Sequence, residues 1–294
     1  MRLHFSSAAI LRAALLCLIY HIYLGGTAHL YAQAEDTVAA NRIFAYANEH
    51  NLSQKPMGDI VAAIGRQFLD APYEGHTLDK TPDETIVTNL HSFDCVTYVE
   101  NVIALARTVK NRRFSFASYR DELIRIRYRG GKPAGYASRL HYFSEWIRDN
   151  EKKGIVQDYT TAAGGTDIEK KINFMTSKRK SYPQLKADSN FTAMRSVEKN
   201  LSAEHLHILA SKDIKPAEQG ITEGDIIAVT TSISGLDVTH TGIAVRNDKG
   251  EVCLMHAPDA GGKVHISAEP LWKYVQKNKK NTGISIARPV DIWN

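Results

Sequence analysis

Cysteine is scarce in this chain, with three thiols in 294 residues. Cys17 lies in an N-terminal apolar stretch, which leaves Cys95 and Cys253 for the body of the protein, too few for a disulfide scaffold. An excess of one charge is also missing. The formal charge is +5, and it drops to about +3 once Arg2 and Arg12 of the N-terminal stretch are set aside. The clusters Lys170-Lys171 and Lys178-Arg179-Lys180 are short and isolated, so they read as solvated loop and no nucleic-acid partner is expected. There is no internal repeat and no low-complexity tract. Zinc motifs are lacking too: His205, His207, His240 and His256 could be gathered into a zinc hydrolase, but no H-E-x-x-H or paired-cysteine spacing accompanies them, and no metal or other cofactor is expected.

Residues 1–34 read as an address. Arg2 and Arg12 give a positive beginning, Ala13 to Leu24 an apolar run short for a bilayer, and Ala32-Gln33-Ala34 an A-x-A cleavage site. The reading is a signal peptide and an exported protein, periplasmic or extracellular, with no stable membrane insertion after cleavage; a retained anchor is the competing reading. About 260 residues, 35–294, remain to form a single domain.

The richest stretch is Phe93-Asp94-Cys95-Val96-Thr97-Tyr98-Val99-Glu100. Apolar residues recur at Val99, Val102, Ile103 and Ala106, the spacing of one helical face, and Cys95 begins that face. A thiol at a helix start meets the positive end of the helix dipole, which favours the reactive thiolate. Cys95 is the candidate nucleophile. Cys253 sits inside the apolar run Val252 to Met255 and reads as a buried structural residue.

Helical patterns cover about 37–49 and 57–69, then the Cys95 helix to about Val109, then Phe116 to Tyr128, closed by Gly130-Gly131. A further one lies between Leu140 and Lys153. Pro72 marks a turn that holds Tyr73 in irregular structure. The donors of Ser138-Arg139-Leu140-His141-Tyr142 stand just before a helix, where polar substrate groups can be received. Periodicity weakens over about 155–220, which reads as an insertion that shapes specificity. Strands follow at Asp225 to Thr230, Thr239 to Arg246, Glu251 to Ala257 and Gly283 to Arg288, with a hairpin at Asn247 to Gly250. Helices first and strands later predict an α+β fold, N-terminal helices packed on an antiparallel sheet, with the insertion before the sheet.

His240 and His256 fall on the two strands of that hairpin. Alternation places Gly242 and Ala244 on the face of His240, and these small residues leave room for the Cys95 helix to pack there. Its thiol would then meet His240, while His256 would hold the second imidazole nitrogen. Nucleophile, base and orienting group form a coherent acyl-transfer set.

These residues carry a resemblance. Asp94-Cys95 at a helix start, His240-Thr241-Gly242-Ile243 and Met255-His256-Ala257 resemble the NlpC/P60 cysteine peptidase superfamily, and Gly224-Asp225-Ile226 resembles its G-D strand start. The resemblance implies a papain-like core and puts Tyr73 of Ala71-Pro72-Tyr73 near the oxyanion. Val96 stands where most members have serine, and Glu74-Gly75 where tryptophan-glycine is usual. Phe93 to Thr97 and Ser138 to Phe143 are instead similar to the DUF1460 branch, whose members resemble N-acetylmuramoyl-L-alanine amidases. That branch implies Cys95 thiolate, paired with protonated His240, cutting the lactyl-alanine amide of a peptidoglycan fragment such as a GlcNAc-anhydroMurNAc-peptide. Tyr73, Asp94, Ser138, Arg139 and His141 are the candidate substrate-binding residues. A γ-D-glutamyl-diaminopimelate endopeptidase and a non-catalytic wall-binding module are the alternatives.

Overall fold

The computed structural model describes residues 33–291, so the expected signal peptide lies outside the described residues apart from its last two positions. A first helix, α1, spans 33–49 and is followed by α2, Met57–Arg66. Both bury apolar faces, with Ile43, Phe44, Ile60 and Ile64 in the core. The next helix, α3, is Cys95–Lys110. It starts at a capping box: the Asp94 carboxylate accepts the Val96 and Thr97 N–H groups, and the Asp94 N–H donates back to the Thr97 hydroxyl. A cap of this kind is worth about 1 kcal/mol and fixes which residue opens the helix.

The sequence gives α3 a polar face, yet the helix is buried all round. That face is covered by α4, Phe116–Arg127. Burying it requires partners for its charges. Glu100 takes Arg127 Nε at 2.6 Å with both side chains 2% exposed, and Arg107 takes Glu122 at 2.7 Å. Arg127 also donates to the Val87 carbonyl at 2.6 Å, tying down the long loop that precedes Asp94. Helix α5 follows, Phe143–Lys152.

The region expected as an insertion before the sheet is partly built into it. Strands β1, Val156–Asp158, β2, Thr166–Ile168, and β3, Leu206–Ala210, all come from it, with helices α6, Phe174–Ser177, and α7, Asp188–Ser202, between the last two. Beyond the short helix α8, Ile214–Ala217, come β4, Ile226–Thr231, β5, Val238–Arg246, β6, Val252–His256, and β7, His265–Ile266. Helix α9, Leu271–Gln276, precedes the last strand, β8, Asn281–Pro289. The order is β2-β3-β8-β4-β5-β6-β7, with β1 also on β8, and every strand pairing is antiparallel. The class is α+β, helices on an antiparallel sheet. Among the described residues no helix is long and apolar enough to cross a membrane.

The sheet buries both faces. Ile226, Ala228, Ile243, Val245 and Met255 share one core with α2 and α3. Ile227, Val229, Ala244 and Leu254 share another with Leu271 and Val275 of α9. This corrects the expected packing. Helix α3 lies on the face of Ile243 and Val245, not on that of Gly242 and Ala244, because the larger side chains offer more apolar area to remove from water. Gly242 serves a different neighbour: a Cβ there would stand 2.9 Å from Cβ of His256. The small residue makes room for a histidine on the next strand.

Glu100→Ala would leave Arg127 buried and unpaired, and should cost roughly 3–5 kcal/mol of unfolding free energy. Urea denaturation followed by circular dichroism measures it. A loss below about 1 kcal/mol would mean that Arg127 finds water or another partner.

Candidate active site

Cys95 opens α3 and lines a cavity of about 280 Å³ together with Tyr73, Val96, Asp79, Arg139 and His141. The residue is partly covered and keeps some surface open to that cavity. Strand β5 pairs with β6 only over Ile243–Arg246, and the earlier Thr241 N–H turns to the Cys95 sulfur. The thiol therefore lies against the peptide bond that joins His240 to Thr241.

Its charge state differs from the expected thiolate. Burial pushes the Cys95 thiol up to about 12, the Asp94 carboxylate adds to the rise, and the N–H groups of Thr241, Cys95 and Val96 only oppose it. The helix dipole is present, but burial outweighs it and the carboxylate that caps the helix adds to the rise. His240 is pushed down to about 4 by burial, with the charge of His265 adding to the shift. At neutral pH both partners rest uncharged, a thiol and an imidazole.

His240 and His256 face the α9 side of the sheet. His240 is directly opposite Val229 of the α9 core, across a β-bulge that skips Thr239. His240 Nε2 lies 2.6 Å from His256 Nδ1, and the rings meet nearly edge to face at 80°. His256 is 1% exposed, and burial pushes it down to about 3. Two groups that the sequence reading did not single out complete this cluster. His265, paired with His256 in the β6–β7 register, has its ring centroid 4.8 Å away, and Tyr274 of α9 lies 5.1 Å from His256 and 6.2 Å from His240. Strand β7 is two residues long and gave no alternating signal, and Tyr274 belongs to no motif that would have marked it.

Tyr73 N–H donates to the Gly262 carbonyl at 2.8 Å, and residue 73 bridges Phe93, the neighbour of the cap. Its phenol is raised by burial and by the charges of Asp94 and Cys95. It stays an un-ionised donor. The Asp94 carboxylate is engaged in the cap, Oδ1 taking both N–H groups.

The segment 138–141 is divided. The Ser138 hydroxyl is used within its own turn, accepting from Ala134 N–H and donating to the Gly135 carbonyl. Arg139 is 5% exposed; it grips Asp79 at 2.5 Å, stands 3.7 Å from Glu84, and donates to the Leu78 carbonyl at 3.1 Å. Its fork holds the cavity's own rim. His141 Nε2 lies 2.8 Å from the Tyr136 carbonyl, so that nitrogen carries the proton and Nδ1 is left as an acceptor. Burial and then Arg139 push His141 down to about 3. Glu74 accepts from Lys80 and Ser92 and does not line the cavity. His207 is held by Asp158 at 2.8 Å on β3, with β8 and β4 between it and the strand of His240.

Residues 63–284 match the AmiA-like family, described as N-acetylmuramoyl-L-alanine amidase-like. The chain belongs to this family. Its fold is similar to that of an N-acetylmuramoyl-L-alanine amidase from Bacteroides uniformis, at 38% identity over 79% of this chain and 98% of that one, TM-score 0.75. A Bacteroides fragilis protein that carries a provisional name as a xylanase matches at 35% identity over 77% of this chain and 99% of that one, TM-score 0.73. A Legionella pneumophila protein of the DUF1460 family shares the fold at 19% identity, over 89% of this chain and 96% of that one, TM-score 0.69. No curated protein matches. The AmiA-like match takes in Cys95, His240, His256 and Tyr274 alike.

The raised thiol makes a prediction in this family member. In a Cys253→Ser background, alkylation of Cys95 by iodoacetamide should keep accelerating above pH 9, since the thiolate fraction is still growing there. Asp94→Asn keeps a capping side chain but removes the negative charge, which lowers the thiol pKa and speeds alkylation at pH 8. A rate that already levels off below pH 7 in the unmutated protein would show a resting thiolate instead.

Proposed function

We propose that this protein is a cysteine-dependent N-acetylmuramoyl-L-alanine amidase that hydrolyses the lactyl-alanine amide of peptidoglycan fragments, with anhydro-muropeptides as substrates. One observation carries the reading. The chain belongs to an amidase-like family, and its cavity-lining thiol lies against the His240–Thr241 peptide bond beside a buried pair of neutral imidazoles. The residue pattern further supports placing it with the NlpC/P60 superfamily and its papain-like core, and the leader supports export to the periplasm or beyond.

The neutral resting state dictates the order of proton movements. His240 Nε2 is engaged with His256, so Nδ1 is the nitrogen left for the thiol proton. As Sγ attacks the lactyl carbonyl, that proton passes to Nδ1 and charge develops on the carbonyl oxygen. The Cys95 N–H is not consumed by the cap, and with the Tyr73 hydroxyl it supplies two donors, each worth about 100-fold by analogy with known oxyanion holes. The imidazolium then protonates the departing alanine nitrogen. A thioester remains, and water activated by His240 releases the muramyl acid. His141 Nδ1 is free to accept from a substrate N–H or hydroxyl in the same cavity.

Glycoside hydrolysis needs two free carboxyl groups flanking the bond to be cut. Here Asp94 caps α3, Glu100 pairs with Arg127, and Asp79 and Glu84 pair with Arg139. The cavity is arranged for acyl transfer, not for a sugar-sugar bond.

The test is digestion of GlcNAc-anhydroMurNAc-peptide followed by mass spectrometry. Free disaccharide and an intact stem beginning with alanine are expected. Muramyl-dipeptide among the products would instead make it an endopeptidase. Cys95→Ala and His240→Ala should each lose at least about 1,000-fold in kcat, while Cys253→Ser should not; full turnover by a folded Cys95→Ala variant would end the thiol mechanism.

A further inference from the structure

The acyl transfer proposed above, on which this inference rests, sets a condition on proton positions that His240 and His256 cannot meet by themselves. For His240 Nδ1 to accept a proton from the thiol, its neutral ring must carry the proton on Nε2. Nε2–H then donates to His256 Nδ1 across the 2.6 Å contact. His256 must in turn carry its own proton on Nε2. The opposite arrangement, with His256 donating from Nδ1, would put a proton on His240 Nδ1 and leave no base facing the sulfur. The required tautomer therefore depends on what surrounds His256 Nε2, and that atom is buried with no hydrogen-bond partner among the described residues. A buried N–H without an acceptor is disfavoured, so the geometry alone would tip the pair the wrong way.

What surrounds His256 is aromatic. The ring of Tyr274 stands 5.1 Å away, nearly perpendicular at 80°. An edge-to-face contact of this kind lets an N–H point at the electron-rich face of a phenol ring. The Tyr274 hydroxyl makes no hydrogen bond among the described residues, so the ring, not the hydroxyl, is what this side chain offers to the pair. Its position is held on the same side of the sheet: Leu271 and Val275 of the same helix are buried in the α9 core with Leu254, which shares its face of β6 with His256. His265, the other ring beside His256, is tilted at 63° and hydrogen-bonds the Lys263 carbonyl through Nδ1. It sits on a two-residue strand at the sheet edge.

We infer that Tyr274 is a positioning residue that selects the Nε2–H tautomer of His256 through its ring face, and thereby leaves His240 Nδ1 free to act as the base. Its ring acts on His256, while its hydroxyl is near enough to Cys95 for the sulfur's charge to add to the rise that burial causes in the phenol. Its effect reaches the thiol through two imidazoles.

The tautomers are read directly by long-range proton–nitrogen correlation NMR on the mature chain with nitrogen-15-labelled histidine, in the absence of substrate. His256 is expected as Nε2–H in the unmutated protein. Tyr274→Leu should shift the ratio toward Nδ1–H by about two- to fivefold, the weight of one such contact, and lower kcat by a similar factor with KM unchanged. Tyr274→Phe keeps the ring and should restore both readouts. His265→Leu should leave the His256 tautomer as it is. The inference is overturned if Tyr274→Leu leaves the tautomer unchanged, if His265→Leu changes it, or if Tyr274→Phe falls as far as Tyr274→Leu with a raised KM, which would mean that the hydroxyl binds substrate. Because the NMR measurement needs no turnover, absence of amidase activity would count against the proposed function and would leave the tautomer result standing.

Discussion

Asp94 is the constraint on which the site depends. Its carboxylate closes the N-terminus of a helix that runs through the middle of the protein, and it decides that Cys95 is the first helical residue. The same negative charge makes the thiolate harder to form. The group that anchors the backbone of the proposed nucleophile therefore works against its ionisation. The site resolves this conflict by resting neutral, with sulfur protonated and both imidazoles uncharged, which in the proposed reaction leaves the proton transfer to the moment of attack. Any chemistry at Cys95 then depends on a base with its lone pair correctly placed, which a preformed ion pair would not have required.

The proposed base, His240, comes from an unexpected side of the sheet. Helix α3 packs on Ile243 and Val245 while His240 faces the α9 core, so thiol and imidazole do not share a face. The thiol lies against the peptide bond between His240 and Thr241, where the pairing of β5 with β6 has stopped. The bulge at Thr239 and the missing side chain of Gly242 both act at this point, one setting the register of His240 against Val229, the other admitting His256. Local irregularity in an otherwise regular ladder is what brings the elements of the site together.

Much of this was legible in the sequence, and the limits follow from physics. The span of α3, the β5–β6 hairpin and the alternation that pairs His240 with Gly242 and Ala244 are local patterns, set by repeats of 3.6 and 2.0 residues. Which face α3 would choose was not local, since it turned on the comparison of Ile243 and Val245 with two small residues. The thiolate was expected from the helix dipole because the burial of the sulfur, and after it the charge of Asp94, were not weighed against it. The strands of the 155–220 region are three to five residues long, and Val156 finds its partner at Pro289, so no short window could display them. Arg139 looked free to grip a substrate because its partner, Asp79, lies 60 residues away in the chain.

Those long-range pairs also decide what the cavity offers. Arg139 is matched by Asp79 and Glu84, Glu100 by Arg127, and Tyr73 and His141 are uncharged. Apart from the capping carboxylate of Asp94, the walls around Cys95 thus present hydrogen-bonding dipoles and paired charges. Such a lining fits a neutral amide and neutral sugar hydroxyls better than a free carboxylate, which would have to compete with Asp79 for Arg139. On the proposed substrate, the charges of the stem peptide would then lie beyond this cavity, where solvent screens them. Tyr73, Cys95, Arg139, His240 and Tyr274 come from five separate segments, and the ion pairs between those segments close only when the domain folds as a whole. Neither recognition nor the neutral resting state belongs to any one segment; both arise from the completed packing of helices on the sheet.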